Sequence, residues 1–438
     1  MTVFLKTFVL AAAIALTSAI GHADNPSEEA IGKEAAARED LAPEESAPEE
    51  SAPEESAPED LAPEDPAPLM RLQGRAEQQA AELIRQDIAL LATDRAAILG
   101  AIDHSLAYLR TPGSVSDYQD YAVPGITHNR VRRSLQRFRT LIASSHSVAE
   151  LQRAVAAEFD FYQSIGQGEA GTVAFTGYFE PTYQASLTPN ETYRYPIYKR
   201  PPTLDQWSEP HPTRAQLEGA DGLRSQQGPL KGLELAWLPS RLEAFLIQVQ
   251  GSARLEITDG STFSVGYDGR TNYPYTSIGR ALIDDGIISA DELTLPVLME
   301  YFERNPEALD SYIPRNNRFV FFRETNGAPA TGSLGYPVTA GRSIATDKTV
   351  MPPGALALIN LPLPQSNQVD SERAEVGQID AGQVESLRTS RLVLDQDTGG
   401  AIKGAGRVDL FVGTGTEAGE VAGLINSTGT LYYLLLKE

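Results

Sequence analysis

Two neighbouring stretches near the C-terminus concentrate aspartate and glycine, and the rest of the chain is interpreted outward from them. They read Leu394-Asp-Gln-Asp-Thr-Gly-Gly-Ala-Ile-Lys-Gly404 and Gly406-Arg-Val-Asp-Leu-Phe-Val-Gly413. In a β-strand, Asp409 and Phe411 would lie on one face and the flanking aliphatic residues on the other, because side chains alternate. A carboxyl group beside an aromatic ring in a partly apolar pocket tends to keep its proton. This pattern predicts a general acid at Asp409, although an aspartate in a glycine-rich turn is also common as a structural feature.

A third aspartate segment, Arg342-Ser-Ile-Ala-Thr-Asp347, lies upstream and is followed by a Pro-Pro-Gly turn at 352–354. Two other interpretations of these segments are weaker. Asp397-Thr-Gly resembles the active-site triplet of aspartic proteases, but those enzymes need two such carboxylates and the chain has no second triplet. Asp395 and Asp397 also resemble the start of a calcium-binding loop, but the remaining spacing of an EF-hand is absent.

Composition narrows the chemistry further. The 438 residues include no cysteine, 59 Asp+Glu against 36 Lys+Arg, and five histidines, of which His211 is the last along the chain. The absence of cysteine excludes disulfides, thiolate metal sites and cysteine nucleophiles. The acidic balance argues against nucleic acid as a partner, because phosphates need a basic surface. We therefore expect carboxylates, hydroxyls, lysines or arginines to carry any reaction, without a metal or other cofactor.

The N-terminal residues have the features of a secretory signal peptide. Lys6 precedes an apolar stretch over residues 7–20, and small residues follow, which is typical of a signal peptide covering residues 1–23. An uncleaved N-terminal anchor is the alternative. No other stretch reaches the ~20 apolar residues of a transmembrane helix. We expect secretion across the inner membrane into the periplasm, and the lack of cysteine argues against an outer-membrane lipoprotein.

An acidic, proline-rich linker is predicted over residues 24–68. It contains the repeat Ala-Pro-Glu-Glu-Ser at 42–56 and holds sixteen acidic against two basic residues. Such a segment has too little apolar surface to offset the entropy of ordering it. The linker therefore has a net charge of −14, and residues 1–23 add only the +1 of Lys6. Of the total net charge of −23, −10 is left for residues 69–438. The folded part is therefore moderately acidic, and the linker is either a spacer or a solvated tail.

The remaining chain divides into a helical part and a β-rich part. Apolar residues recur every three or four positions over Leu69–Leu109 and again over 127–165, which predicts helices. From Thr172 onward, short runs of β-branched and aromatic residues alternate with Gly, Pro and Asn. The predicted strands are Thr172–Tyr178, Arg194–Lys199, Phe245–Gln250, Leu255–Ile257, Phe319–Arg323, Ala355–Leu361, Arg391–Leu394 and Val408–Val412. We expect a mainly β body with an N-terminal helical region.

Several further motifs occur in series with the aspartate segments. They are Phe175-Thr-Gly-Tyr-Phe-Glu-Pro181, Val249-Gln-Gly-Ser-Ala-Arg-Leu255, Val265-Gly-Tyr-Asp-Gly269, Tyr275-Thr-Ser-Ile-Gly-Arg280 and Asn317-Arg-Phe-Val-Phe-Phe322. In this order and spacing, the chain resembles the membrane-bound lytic murein transglycosylase A family over roughly residues 165–438. The C-terminal part resembles that family's three-aspartate domain, whose name-giving positions are matched here by Asp347, Asp397 and Asp409.

The resemblance implies a fold and a domain order. It implies a double-psi β-barrel interrupted by a second β-barrel-like domain, with a glycan-binding groove between them. The expected divisions are helices and the first part of the barrel over 69–177, the insert over 178–325, and the remaining barrel over 326–438.

The resemblance also implies an activity and site residues. The family cleaves the β-1,4 bond between N-acetylmuramic acid (MurNAc) and N-acetylglucosamine (GlcNAc) in peptidoglycan and leaves a 1,6-anhydro-MurNAc end. The position of the catalytic acid, which later acts as base, is matched by Asp409. Asp397 and Asp347 match companion positions; we expect Asp397 to be a second catalytic residue, and Asp347 and Lys403 to be supporting residues.

Candidate substrate contacts lie in the middle region. Aromatic rings suit stacking on sugars, and polar side chains suit hydrogen bonds to N-acetyl and lactyl groups, although core packing explains many of the aromatic residues. The candidates are Tyr178, Glu180, Gln250, Arg254, Tyr267 and Arg280. The expected partner is the glycan strand of peptidoglycan, bound by a monomer that can join complexes of cell-wall enzymes. Two alternatives stay open: a hydrolase with Asp397 as second carboxylate, and a non-catalytic module that binds glycan or loosens the wall.

Overall fold

The computed structural model describes most of the chain beyond the predicted linker. The described residues are 67–119, 121–167, 171–224, 227–290, 292–293, 295–364 and 386–438. The predicted signal peptide (1–23) and linker (24–68, apart from its last two residues) lie outside them. In the part that the structure describes, no helix is both long and apolar enough to span a bilayer.

The secondary structure alternates between the two types over the whole length. The strands are β1 (Leu69–Arg71), β2 (Phe159–Ser164), β3 (Val173–Glu180), β4 (Thr182–Ala185), β5 (Tyr195–Tyr198), β6 (Glu234–Leu238), β7 (Ser252–Ile257), β8 (Thr262–Arg270), β9 (Val320–Glu324), β10 (Ser343–Ala345), β11 (Leu356–Pro364), β12 (Ser386–Asp397), β13 (Arg407–Thr414) and β14 (Asn426–Leu436). The α-helices are α1 (Gly74–Glu82), α2 (Ala89–Ala92), α3 (Arg95–Tyr108), α4 (Pro112–Asp117), α5 (His128–Ser144), α6 (Val148–Glu158), α7 (Arg214–Glu218), α8 (Arg241–Gln250), α9 (Ile278–Asp284), α10 (Leu295–Arg304), α11 (Leu309–Tyr312) and α12 (Thr416–Leu424).

Six strands of the largest sheet close into a ring. The sheet has the order β1-β2-β14-β11-β12-β10-β13-β3, and an additional pairing of the end strand β3 with β14 closes the ring, with β1 and β2 outside it. The β10–β12 and β13–β3 pairs are parallel, whereas the other pairs of the ring are antiparallel. Full closure leaves this ring without an exposed edge. The predicted double-psi β-barrel is confirmed.

The barrel shares one hydrophobic core with the N-terminal helices. Val408 and Leu410 of β13 are buried in it, together with Phe175 of β3 and residues of α3 and α5. Burial of these aliphatic side chains stabilises the fold and fixes which way each strand faces. Asp409 and Phe411 consequently lie on the opposite face of β13, as the alternation predicted.

The insert is a second, smaller barrel. Its strands form the sheet β4-β7-β8-β9 and the pair β5-β6. Bridges between Ser186 and Trp237 and between Lys199 and Phe322 link the two sheets at both ends, so the six strands again form a ring. One residue, Pro181, separates β3 of the first barrel from β4 of the second. The predicted β-barrel-like insert is confirmed.

The predicted strand Phe245–Gln250 is wrong, because these residues form the end of α8. The helix begins after Ser240, whose hydroxyl accepts a hydrogen bond from the Glu243 N–H, and ends at Gly251, which has a φ of +80°. Both are standard helix signals. The apolar residues of the segment also follow helical spacing. The strand was predicted because the segment contains aromatic and β-branched residues, which are common in strands.

Two ends of the predicted helical regions are strands. Leu69–Arg71 and Phe159–Ser164 form β1 and β2, which pair with each other and, through β2, with β14. The burial of β2 on both faces explains the error, because a strand covered on both sides has no alternating pattern.

A buried ion-pair network attaches the N-terminal helices to the barrel. The Arg342 guanidinium is fully buried and donates to Asp87 at 2.6 and 3.0 Å and to Asp94 at 2.7 Å. Asp87 also accepts from the backbone N–H of Leu392 in β12 at 2.8 Å. The network fixes the start of β10, the strand that lies between the two candidate catalytic aspartates.

Candidate active site

The two candidate aspartates lie in one row across the barrel wall. Ala345 of β10 pairs with Asp397 of β12 on one side and with Asp409 of β13 on the other, and Asp409 pairs in turn with Thr176 of β3. Residues that pair directly across strands project from the same face. Since neighbouring strands lie ~4.8 Å apart, the two aspartate backbones are separated by about 10 Å. Ala345, the buried residue between them, carries only a methyl group.

Asp409 is held by one hydroxyl and one cation. The Thr176 hydroxyl donates a short hydrogen bond to Oδ1, and the Arg407 Nη2 lies 3.1 Å from the same oxygen and 2.7 Å from the Thr176 Oγ1. The Asp409 side chain is 19% exposed. Phe411 packs instead on Tyr178, with ring centroids 5.2 Å apart. The polar neighbours therefore replace the apolar pocket that the sequence suggested, and they can stabilise a carboxylate.

Asp397 is fixed by three donors. Its Oδ1 accepts from the Ser333 and Thr398 N–H groups, and its Oδ2 accepts from the Tyr178 hydroxyl, each at 2.8 Å. Burial raises the pKa of Asp397, although these hydrogen bonds oppose the shift. Tyr178 thus links Asp397, through its hydroxyl, to Phe411 of β13, through a tilted ring contact.

Asp347 supports the loop between β12 and β13. Its carboxylate accepts from the Thr349 N–H and hydroxyl at 3.1 and 2.8 Å and from the Gly404 N–H at 2.8 Å. Burial alone would raise the pKa of Asp347, but the hydrogen bonds from Gly404 and Thr349 hold it below its usual value. Lys403 lies exposed on the same loop, and its positive charge also lowers the pKa of Asp347.

Sequence reasoning missed a fully buried carboxylate beside this row. Asp395 accepts from the Tyr433 hydroxyl at 2.6 Å and from the Thr346 hydroxyl at 2.8 Å, and it forms a short ion pair with Lys348. This cluster braces the turn after β10. The sequence analysis also missed Thr176 and Arg407 as neighbours of Asp409. Arg407 lies two residues before Asp409, so the two residues must share one face of a strand.

Three predicted substrate contacts, Glu180, Gln250 and Arg254, connect protein segments to each other. Glu180 is 1% exposed, and its carboxylate accepts from Arg254 at 2.8 Å and from the Thr414 hydroxyl at 2.9 Å. Gln250, at the end of α8, accepts from the backbone N–H of Phe179 at 3.4 Å. These contacts hold the crossing from the first barrel to the insert.

The other two candidates lie on the surface of the insert. Tyr267 of β8 is 46% exposed, so its ring face is available to a ligand. Arg280 is exposed and pairs with Asp284, one turn further along α9, at 2.7 Å. The structure does not bring Arg280 into contact with the aspartates.

The insert meets the aspartate loop at Gly400. A Cβ atom on Gly400 would lie 1.6 Å from the Arg318 Nη1 and 3.3 Å from the Tyr275 Cβ, so only glycine allows this approach. Burial raises the pKa of Tyr275, and the charge of Asp409 adds to the shift. Tyr275 and Arg318 of the insert therefore lie against the loop that follows Asp397.

Comparison with known proteins agrees with this geometry. A family model described as the MltA specific insert domain matches residues 174–323, and one described as the 3D domain matches residues 342–435. The chain is 33% identical over 277 residues to membrane-bound lytic murein transglycosylase A of Escherichia coli (strain K12), which covers 63% of this chain and 69% of that protein. The chain belongs to the membrane-bound lytic murein transglycosylase A family.

Other members of the transglycosylase A family give the same picture. The Vibrio cholerae serotype O1 protein is 31% identical over 277 residues, or 62% of this chain and 68% of that protein. A crystal structure of membrane-bound lytic murein transglycosylase from Agrobacterium tumefaciens matches with a TM-score of 0.61 and 26% identity over 80% of this chain and 95% of that one. The E. coli MltA structure with bound chitohexaose matches with a TM-score of 0.59 and 27% identity, covering 79% and 91%. The resemblance recognised in the sequence is confirmed.

Proposed function

We propose that this chain is a lytic transglycosylase that cleaves the β-1,4 bond between MurNAc and GlcNAc in peptidoglycan without adding water. Membership of the transglycosylase A family supports the reaction class. The observation that carries the assignment of roles is the row of Asp397, Ala345, Asp409 and Thr176 on one face of the barrel wall. In this row, Asp409 is a carboxyl group held from one side and open toward the groove.

The proposed reaction uses Asp409 twice. The protonated carboxyl donates to the glycosidic oxygen as the bond from that oxygen to C1 of MurNAc breaks, and the bonding electrons leave with the oxygen. Arg407 and Thr176 stabilise the carboxylate that forms. The C6 hydroxyl of the same MurNAc then attacks C1 and returns its proton to Asp409. The acid is regenerated, no water is consumed, and the product ends in 1,6-anhydro-MurNAc.

The hydrogen bonds of Asp397 favour this reaction over hydrolysis. A hydrolase needs a second carboxylate that activates water or attacks the sugar from the face opposite the acid. Asp397 is the candidate for that carboxylate, two strands away from Asp409 in the barrel wall. Its oxygens are occupied by three donors, which leaves them poorly placed to take a proton from water or to attack the sugar. We assign Asp397 a supporting role, in which it holds Tyr178 and the start of the 398–406 loop.

The proposed substrate is the glycan strand, bound in the groove between the barrels. The exposed ring of Tyr267 and the half-buried ring of Tyr275 offer faces for stacking on sugars. The relative bound to chitohexaose supports a groove that accepts amino-sugar oligomers. We further propose a monomer that acts in the periplasm, where peptidoglycan lies, with the division into 69–177, 178–325 and 326–438 as its domain order.

Mass spectrometry of peptidoglycan digested by the full chain tests this function. We expect new ends with the mass of 1,6-anhydro-MurNAc, which is one water lighter than a reducing end. Reducing ends would establish the hydrolase, and unchanged strands with retained binding would establish the non-catalytic module.

A further inference from the structure

Arginines of the insert generally have an acidic partner, and Arg318 does not. Arg214 and Arg241 are buried and share Glu218, and the more exposed Arg323 pairs with Asp268 at 3.3 Å. Among the described residues, no carboxylate or hydrogen-bond acceptor lies within reach of the half-buried Arg318 guanidinium, and its buried Nε has no partner. A desolvated cation without a partner is unfavourable.

A second positive charge lies beside the first. Burial lowers the pKa of Arg318, and the neighbouring charge of Arg270 lowers it further. Arg270 is exposed, and among the described residues its side chain donates to the backbone carbonyl of Thr271 at 3.4 Å and forms no ion pair. Two like charges without a counter-charge repel each other, so an incoming anion that contacts both would relieve the repulsion.

The location of this pair connects it to the reaction. The Arg318 Nη1 lies against Gly400, three residues after Asp397. Tyr275 lies at the same place, with its Cβ 3.3 Å from the position that a Cβ on Gly400 would take, and the charge of Asp409 adds to the raised pKa of Tyr275. The cation thus lies where the insert meets the loop that follows Asp397.

We propose that Arg318, assisted by Arg270, binds a carboxylate of the peptidoglycan next to the bond that is cleaved. The inference rests on the proposed function and adds what the groove selects. The lactyl group of MurNAc ends in a free carboxylate in stripped strands, and in intact strands it carries a peptide with carboxylates of its own. A guanidinium matches a carboxylate with two parallel hydrogen bonds. Chito-oligosaccharides have no carboxylate, so this contact distinguishes peptidoglycan from chitin.

Equilibrium binding to three glycans tests the proposal. The reference protein is the full chain with Asp409→Asn, a substitution that prevents turnover during the measurement. It is compared with the same chain carrying Arg318→Gln as well. We expect Kd to rise by about tenfold or more for a carboxylate-bearing glycan, whereas Kd for chitohexaose stays the same. A loss confined to amidase-stripped strands identifies the lactyl carboxylate, and a loss confined to peptide-bearing strands identifies the peptide. Arg304→Gln is the matched control, because Arg304 is exposed and pairs with Glu300 on α10.

Gly400→Ala gives an independent variant that keeps both charges. Its methyl group would occupy the position of the Arg318 Nη1, so we expect the same selective loss, whereas Arg318→Lys should recover part of the binding. An equal loss for all three glycans, or no loss for any, overturns the proposal. Wild-type protein is digested with peptidoglycan in parallel: if anhydro ends form but Arg318→Gln binds normally, only this inference fails, and if no anhydro ends form, the proposed function fails.

Discussion

Asp409 differs from Asp397 and Asp347 in what holds its carboxyl group. Three hydrogen bonds occupy each of the other two, mostly from backbone N–H groups that cannot move away. Asp409 is held through one oxygen by Thr176 and Arg407. A group that must give up a proton and recover it needs a free side toward the substrate, and of these three aspartates Asp409 has it.

Asp409→Asn should abolish turnover and leave glycan binding intact. The amide cannot donate and then recover a proton, and general acid–base catalysis contributes about 10²- to 10⁴-fold. The measurement is the release of anhydro-muropeptides together with binding of the variant to peptidoglycan. Activity within tenfold of wild type would assign the acid to another residue.

Thr176→Val tests whether the hydroxyl orients Asp409. Valine keeps the shape and removes the only donor that Thr176 offers to the carboxylate. We expect kcat to fall about ten- to a hundredfold, because small displacements of a catalytic group are costly, with KM unchanged. Thr176→Ser restores the hydroxyl and should recover most of the rate. A rise in KM with normal kcat would contradict this role.

For single residues, the sequence placed the candidate acid Asp409 on the correct face of its strand but did not predict its neighbours. Alternation along one strand was enough to place Asp409 opposite the core. The pairing of Glu180 with Arg254, 74 positions apart, depends on the contact of two strands from different sheets. No local pattern reports such a contact, so both residues resembled ligand-binding groups.

The helices and strands show where local patterns suffice. Helices α5 and α6 begin directly after their N-cap residues, Thr127 and Ser147. The hydroxyls of these residues accept hydrogen bonds from backbone N–H groups in the first turn. The predicted helix at β2 and the predicted strand at the end of α8 were wrong, because both segments are buried on several sides. For covered elements, burial removes the alternation on which the distinction rests.

Helix α8 carries a carboxyl group that should make stability depend on pH. Burial raises the pKa of Glu243 from 4.5 to about 7, and its Oε2 has no partner among the described residues. Between these two pH values, the folded chain keeps the proton of Glu243, whereas the unfolded chain has released it. The stability that depends on the neutral carboxyl group is therefore fully present below pH 4.5 and is lost as the pH rises through 7.

Glu243→Gln removes that dependence. We expect the free energy of unfolding of the variant, relative to wild type, to increase by on the order of 2 kcal/mol between pH 4.5 and pH 8. Urea titrations at the two pH values measure it. Glu303→Gln is the control, since Glu303 is exposed on α10. An equal difference at both pH values would show that Glu243 ionises normally.

The whole molecule is an acidic protein that we propose acts on an acidic polymer. Residues 69–438 carry a net charge of −10, and peptidoglycan adds carboxylates of its own. Long-range repulsion should therefore slow encounter until salt screens it, because the Debye length falls from ~30 Å at 0.01 M to ~8 Å at 0.15 M.

Stopped-flow association tests this balance. With soluble peptide-bearing glycan fragments and the Asp409→Asn chain, we expect the association rate to rise roughly threefold between 0.01 and 0.15 M salt. Chitohexaose is neutral and should show no such rise. A rate that falls with salt would mean that local cations, such as Arg318, dominate the encounter.

The order of strands around the first barrel has a consequence for when the enzyme becomes active. The two neighbours of β3 in the ring are β13 and β14, which lie beyond residue 406, on the far side of the entire insert. During synthesis, Thr176 therefore has no pairing partner in the ring until the whole insert has been translated. A chain terminated before residue 406 lacks β13 and β14, so the row from Asp397 to Thr176 that we propose for catalysis cannot assemble.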